Sequence, residues 1–239
     1  MKFVGAAKKL DDVDLPRIGA TIGVGEDEIH AVLDVETRGG GFDRHNRPKM
    51  LFEPHIFYRE LKNPAERAKA VKDGLAYKKW GTKPYPKDSY PRLELAMVIN
   101  RSAALRSASW GLGQIMGFNH LLAGFPTAIE MVSAFLVDEE IHLQAMVKFI
   151  ISAKLAAKLR ARDWAGFARG YNGSQYAKNG YHLKLAAAFK KWQAIPDTPF
   201  EVNRLPDHPE PQQPATRPAN TGLAAFIAAI VAIFKGSKQ

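Results

Sequence analysis

Cysteine is absent from all 239 residues, so the chain has neither a disulfide framework nor a thiolate metal site. The seven histidines lack metal spacing as well: there is no HExxH and no pair at i, i+4, and no cofactor or metal is expected. The N-terminus, MKFVGAAKKLDDVDL, has no sustained apolar run and is not a secretory signal, so the chain is expected to fold in a bacterial cytoplasm. Long alternating β patterns and internal repeats are missing too. Acid is the scarce charge: 24 Asp and Glu stand against 34 Lys and Arg, for a net charge of +10. That balance points to an anionic partner, whether nucleic acid, cell-wall polymer or membrane surface, and charge alone does not choose among them. No nucleic-acid recognition motif accompanies it, so a nucleic-acid partner is not expected.

What is present is apolar residue at helical spacing. Hydrophobic residues make up 46% of the chain, enough for one good core. DVDLPRIGATIG and EDEIHAVLDVE predict two short helices broken by Gly23 and Gly25. RPKMLFEPHIFYREL predicts an extended segment running into a helix, and RLELAMVINRSAAL a further helix. AIEMVSAFLVDEEIHLQAMVKFIISA reads as one long helix with Val132, Phe135, Leu136, Leu143, Met146, Val147 and Ile150 on a single stripe. KLAAKLRARDWAGFARG continues helical, and HLKLAAAFKKW closes the domain. The residues alone thus give an all-α fold, or α with a minor β element.

After Trp192 the composition changes. IPDTPFEVNRLPDHPEPQQPATRPAN reads as a proline-rich, extended linker, and TGLAAFIAAIVAIFKGSKQ as a hydrophobic helix. About a dozen apolar residues falls short of the roughly 20 that span a bilayer, so this tail is expected to insert into or perturb a membrane, or else to fold back or self-associate. The expected organisation is a domain over 1–194, a linker over 195–220 and the tail over 221–239.

Glu36 stands out. Ile29, Val32 and Leu33 form an apolar stripe, and its next position, i+7, is Glu36, just before the glycines of RGGGF. A carboxyl on an apolar face loses hydration when charged, which raises its pKa and lets it hold a proton near neutrality, as the general acid of a glycosidase must. Pairing with Arg38 or Arg44 would leave it an ordinary ionised glutamate. Glu139 also falls on an apolar stripe, so the position is not unique. SASWGLGQIMG over 107–117 is a glycine-punctuated turn presenting Ser107, Ser109 and Gln114, without the GK[ST] ending of a nucleotide loop. GYNGSQYAKNGYH over 170–182 is a turn suited to offering Tyr171 and Asn172 to a polar ligand. Between residues 59 and 90, Lys78, Lys79, Lys83 and Lys87 alternate with Tyr77, Trp80, Tyr85 and Tyr90. Such mixing serves single-stranded nucleic acid or sugar rings; a solvated face with a few packed aromatics is the simpler reading.

VETRGGGFDRHNRPKMLFEPHIFYREL, SASWGLGQIMGFNHLLAGF and RARDWAGFARGYNGSQYAKNGYHLKLAAAF together resemble the signature blocks of the phage-type N-acetylmuramidase endolysins, a family of the lysozyme-like superfamily. The likeness runs from about Asp11 to Trp192. It implies a mainly α, two-lobed α+β lysozyme-like fold with a small β element after the catalytic glutamate. It also implies hydrolysis of the β-1,4 bond between N-acetylmuramic acid and N-acetylglucosamine in peptidoglycan glycan strands. On it, Glu36 is the general acid; Gln114, Tyr171 and Asn172 line the sugar groove, and Ser107 and Ser109 lie where a hydroxyl holds a water. Relatives often carry an acid in the loop before RPK, where this chain has Arg44, His45 and Asn46. Asp43 is the first choice for the second carboxylate, with Glu53 as the alternative. Without either, attack by the sugar's own 6-hydroxyl, the lytic transglycosylase reaction, gains ground.

A monomer is expected, and the missing signal peptide fits an enzyme that accumulates in the host cytoplasm and needs a membrane lesion to reach the wall in the periplasm. In a third reading, the hydrophobic tail itself permeabilises membrane or outer-membrane lipid.

Overall fold

Side-chain caps set where several of these helices begin. In the computed structural model, which describes residues 2–36 and 39–200, α1 spans Asp14–Ala20 and α2 spans Glu26–Glu36, separated by Gly23 at φ +70°. A short strand, β1 (Met50–Phe52), leads into α3 (Pro54–Glu60), whose first residue is a proline that needs no N–H partner. A polar helix the sequence reading missed, α4 (Pro64–Lys72), starts at Asn63, whose side chain accepts the Ala65 N–H.

Two expected helices are each divided. RLELAMVINRSAAL folds as α5 (Tyr90–Ile99) and α6 (Arg101–Arg106), because Asn100 turns extended and caps the second with a 2.9 Å bond from the Ala103 N–H. The long helix expected after residue 127 is α7 (Ala128–Ala134) followed by α8 (Glu139–Ser152). Asp138 takes an extended backbone there and accepts the Ile141 N–H at 2.8 Å. Val132, Phe135, Leu143 and Ile150 are buried on both sides of this break, so the apolar spacing continues through it. Next come α9 (Ala156–Arg160), α10 (Trp164–Asn172) and α11 (Tyr181–Trp192); Asp163 caps α10 through the Gly166 N–H.

The minor β element is a three-stranded antiparallel sheet. In it β2 (Ala108–Trp110) pairs with β1 on one side and with β3 (Ile115–Met116) on the other. The glycine-punctuated stretch is therefore the turn of a β-hairpin, with strands too short to show alternation in sequence. Leu51 lies opposite Ser109, and Trp110 opposite both Met50 and Ile115.

Two apolar cores result, one per lobe. The sheet side is built on Phe52, Phe57, Leu93, Leu105, Trp110 and Met131; the other joins Ile29, Val32, Met146, Leu159 and Phe167 from α2, α8, α9 and α10 with Leu112 from the hairpin turn. Helix α8 serves both, giving Ala145 and Phe149 to the first and Leu143, Met146, Val147 and Ile150 to the second. Among the described residues no helix is long and apolar enough to cross a membrane. The expected tail over 221–239, and the linker from residue 201 onward, lie outside the described residues; the described unit runs to Phe200.

An N-terminal strap ties the lobes together. Phe3 is buried, its ring 5.1 Å from that of Tyr90 and 5.8 Å from that of Trp110. The Lys8 N–H donates to the Val137 carbonyl at 3.0 Å, and Leu10 packs on the second core. Replacing Phe3 with Ala empties a site between two aromatic rings and should cost about 3 kcal/mol, read as a lower urea midpoint at unchanged slope. An unshifted midpoint would show that the strap carries no packing energy.

Candidate active site

Glu36 is the last residue of α2, and Asn172 the last of α10. The Asn172 Nδ2–H donates to Glu36 Oε1 at 2.6 Å, so two helix C-termini meet at one carboxyl. Although part of Glu36 reaches the cleft surface, its carboxyl is enclosed by protein. Burial pushes its pKa up to about 7, against the opposing pull of the Asn172 hydrogen bond. Near neutrality this acid is partly protonated, as the stripe in the sequence predicts. Arg44, one of the cations weighed as its partner, instead donates through Nε to the His45 ring at 3.0 Å.

Two cavities flank the Glu36–Asn172 pair, Glu36 lining one and Asn172 the other. One, of about 680 Å³, is lined by Glu36, Asp43, Arg47, Lys49, Tyr90 and Gln114 among others. The other, of about 730 Å³, is lined by Glu53, Trp80, Tyr85, Asn172, Gln175 and Tyr181 among others. Met50 and Leu51, adjacent in β1, face one each. The hydrogen-bonded pair thus stands between the two, which form the arms of a candidate groove.

The hairpin loop is fastened from behind. Gln114 holds a left-handed backbone at φ +46°, uncommon for a residue with a side chain. Its amide accepts the Ser109 hydroxyl at 2.9 Å and donates to the Gly111 carbonyl at 2.8 Å. The Tyr171 hydroxyl donates to the Gly113 carbonyl at 2.8 Å, and burial, then the Glu36 charge, raises that phenol well above its usual range. Of the residues expected in the groove, Gln114 and Asn172 line it, while Ser109 and Tyr171 hold its wall in place. Ser107 is elsewhere: it is fully buried and its hydroxyl donates to the Ala103 carbonyl at 2.6 Å, so it presents no hydroxyl to a water in the groove.

The two candidate second carboxylates fall in different arms. Asp43 shares the first arm with Glu36. Burial works to raise its pKa, but the Arg47 side chain and the backbone N–H groups of Arg47 and His45 outweigh it and hold the carboxyl ionised. Glu53, in the second arm, accepts the Tyr85 hydroxyl and lies 3.2 Å from the His55 Nδ1; burial raises its pKa.

The other acid on an apolar stripe has a different task. Glu139 is buried at the first residue of α8, where it accepts the Gly41 N–H at 2.5 Å, the Leu10 N–H at 3.2 Å and the Lys9 ammonium at 2.9 Å. His142, one turn on, takes the Leu112 N–H on Nδ1 and donates from Nε2 to the Phe135 carbonyl at 2.7 Å; burial lowers its pKa to about 4. Together they anchor the segment that follows Glu36. Side-chain carbons on Gly40 and Gly41 would collide with Glu139 and His142, which explains the glycine run.

Sequence reasoning missed Tyr181, Arg47 and Lys49. Tyr181 is close enough for the Glu36 charge to raise its phenol, after burial. It belongs to the same NGYH turn that drew attention to Tyr171, and only the fold of α11 against α2 brings it round. Arg47 bridges Asp43 and Asp88 at 2.7 and 3.2 Å and lies over the Tyr90 ring.

A carboxyl whose pKa is raised on folding binds extra protons in the native state, so its contribution to stability is complete below pH 4.5 and is lost as pH rises through about 7. Glu36→Gln removes that loss. The variant should exceed the parent in stability by on the order of 2–3 kcal/mol at pH 8, with the gap closing toward pH 5, by urea denaturation. Equal curves at both pH values would mean an ordinary, solvated carboxyl. Separately, Gly41→Ala should lower stability by more than about 2 kcal/mol through its clash with His142.

The sequence model of the N-acetylmuramidase family matches residues 26–193, from the first residue of α2 to just past the end of α11. Comparison with curated proteins gives no match. The crystal structure of the Burkholderia AP3 phage endolysin superposes with a TM-score of 0.68 at 38% identity, covering 78% of this chain and 72% of that one. The fold is the mainly helical, lysozyme-like one that the sequence blocks predict. The chain belongs to the N-acetylmuramidase family.

Proposed function

We propose that this muramidase, a glycoside hydrolase of the lysozyme type, cleaves the β-1,4 bond between N-acetylmuramic acid and N-acetylglucosamine, with Glu36 as the general acid. The observation that carries the proposal is the enclosed Glu36 carboxyl with its pKa raised to about 7, in the pair that stands between the two arms. A glycan lying through the groove passes its scissile oxygen over this proton. Donation to the departing oxygen leaves positive charge at the anomeric carbon. Asp43, ionised in the same arm, opposes that charge; its oxygens already accept two backbone N–H groups and Arg47, so it contributes field rather than a free lone pair. Gln114 and Asn172 line the two arms beside the sugars, their amides engaged with Ser109, Gly111 and Glu36.

That same commitment of the Asp43 oxygens favours a second reading. Glu36, once deprotonated, takes the proton of the muramic 6-hydroxyl, which closes a 1,6-anhydro ring in place of attack by water. Both readings place the substrate in the cell wall and fit an endolysin, the role of the AP3 phage neighbour. A membrane-active tail over 221–239 would complement either by opening a path to the wall.

Glu36→Gln should lower release of soluble fragments from purified sacculi by at least about 10³-fold while the folded signal is kept. The parent's kcat/KM should fall as pH rises above about 7, following the acid's proton. Mass spectrometry of the products separates the readings: reducing ends mean hydrolysis, 1,6-anhydro ends transglycosylation. Full activity in the Gln variant would remove Glu36 from the mechanism.

A further inference from the structure

The basic, aromatic stretch between residues 59 and 90 divides once folded. Tyr90 is a core residue beneath Phe3 and Arg47, and Tyr77 is half-buried with its hydroxyl 3.5 Å from Arg92. Trp80 is different. Of the four tryptophans, Trp110 is fully buried, Trp164 packs on Phe189 and Trp192 stacks on His30, whereas Trp80 leaves 69% of its surface to solvent. An indole exposes a large apolar area at a cost, and this one lines the second arm of the groove.

Its presentation is built in. The Thr82 hydroxyl donates to the Lys79 carbonyl at 2.7 Å, closing a turn around Trp80, and Gly81 takes φ +74° within it. The Trp80 side chain meets the Tyr85 hydroxyl, which in turn donates to Glu53. The indole edge is thereby held while the bulk of the ring stays uncovered. The same arm carries the exposed carboxamides of Gln175 and Asn179, each able to donate and accept.

We infer that the second arm binds an N-acetylhexosamine ring of the glycan, stacked by its apolar C–H face on Trp80, with the Gln175 and Asn179 amides taking its acetamido group. A β-1,4-linked pyranose offers an apolar ring face with polar groups at its rim, and an exposed indole bordered by amides complements both. The inference rests on the muramidase reading and adds where, and by which residues, the strand is gripped beyond the acid.

The test has two parts. On purified sacculi, Trp80→Ala should raise the half-saturating substrate concentration about tenfold with kcat within about threefold, and Trp80→Phe should recover most of the loss. In the full-length Glu36→Gln protein, chitotetraose should quench and blue-shift tryptophan emission, in about 0.5 M salt as in dilute buffer, and Trp80→Phe should abolish that response. An active parent with an unaltered Trp80→Ala variant overturns this inference and leaves the muramidase reading standing. A response to a single-stranded oligonucleotide but not to chitotetraose overturns it in favour of nucleic acid. A parent that releases nothing from sacculi brings down the muramidase reading and this one together.

Discussion

The fold converges on a carboxyl that is denied water. Glu36 ends α2 and Asn172 ends α10, so the negative ends of two helix dipoles meet where the carboxylate would carry its charge. Burial acts in the same direction, and one amide hydrogen bond opposes both. The balance keeps a proton on a residue that loses it readily in water. Much of the structure maintains this arrangement. Helix α11 packs on α2, with Trp192 and Lys191 reaching Asp34, and the Tyr171 hydroxyl fastens the hairpin loop to α10.

Glu139 shows what the alternative looks like. It also interrupts an apolar stripe and is also buried, yet it sits at a helix N-terminus and accepts two backbone N–H groups and an ammonium. With its oxygens taken up by these donors, it is a structural post for the segment after Glu36. Of two acids on apolar faces, the one at the donor-rich helix end does structural duty and the one at the donor-poor end is left with its proton. The glycines of RGGGF belong to the first role: Gly40 and Gly41 pass too close to Glu139 and His142 to carry side chains.

Much of this was legible in the sequence, for identifiable reasons. The inward position of Glu36 follows from helical periodicity, and the amides Gln114 and Asn172 stand out in glycine-rich turns. Helix breaks were not legible at Asn100 and Asp138, because apolar spacing runs on across both and only the caps reveal the interruption. The hairpin strands are too short to alternate. Ser107 looked like a groove hydroxyl from its neighbours, but it is buried at the C-terminal cap of α6, bonded to Ala103. Tyr181 and Trp80 reach the groove only through tertiary packing, which no local pattern encodes. Asp43 was singled out as the second carboxylate, and it closes its own turn while lining the arm with Glu36.

The proton on Glu36 is open to direct observation. Carbon-13 labelling of glutamate side chains, with the Glu36 carboxyl assigned by its disappearance in Glu36→Gln, gives its titration by NMR in the full chain. The account predicts a midpoint of about 7, well above the 4.5 of an unperturbed glutamate. A midpoint near 4.5 would mean that the carboxyl is hydrated and ionised at neutrality, and the acid role assigned to it would be wrong.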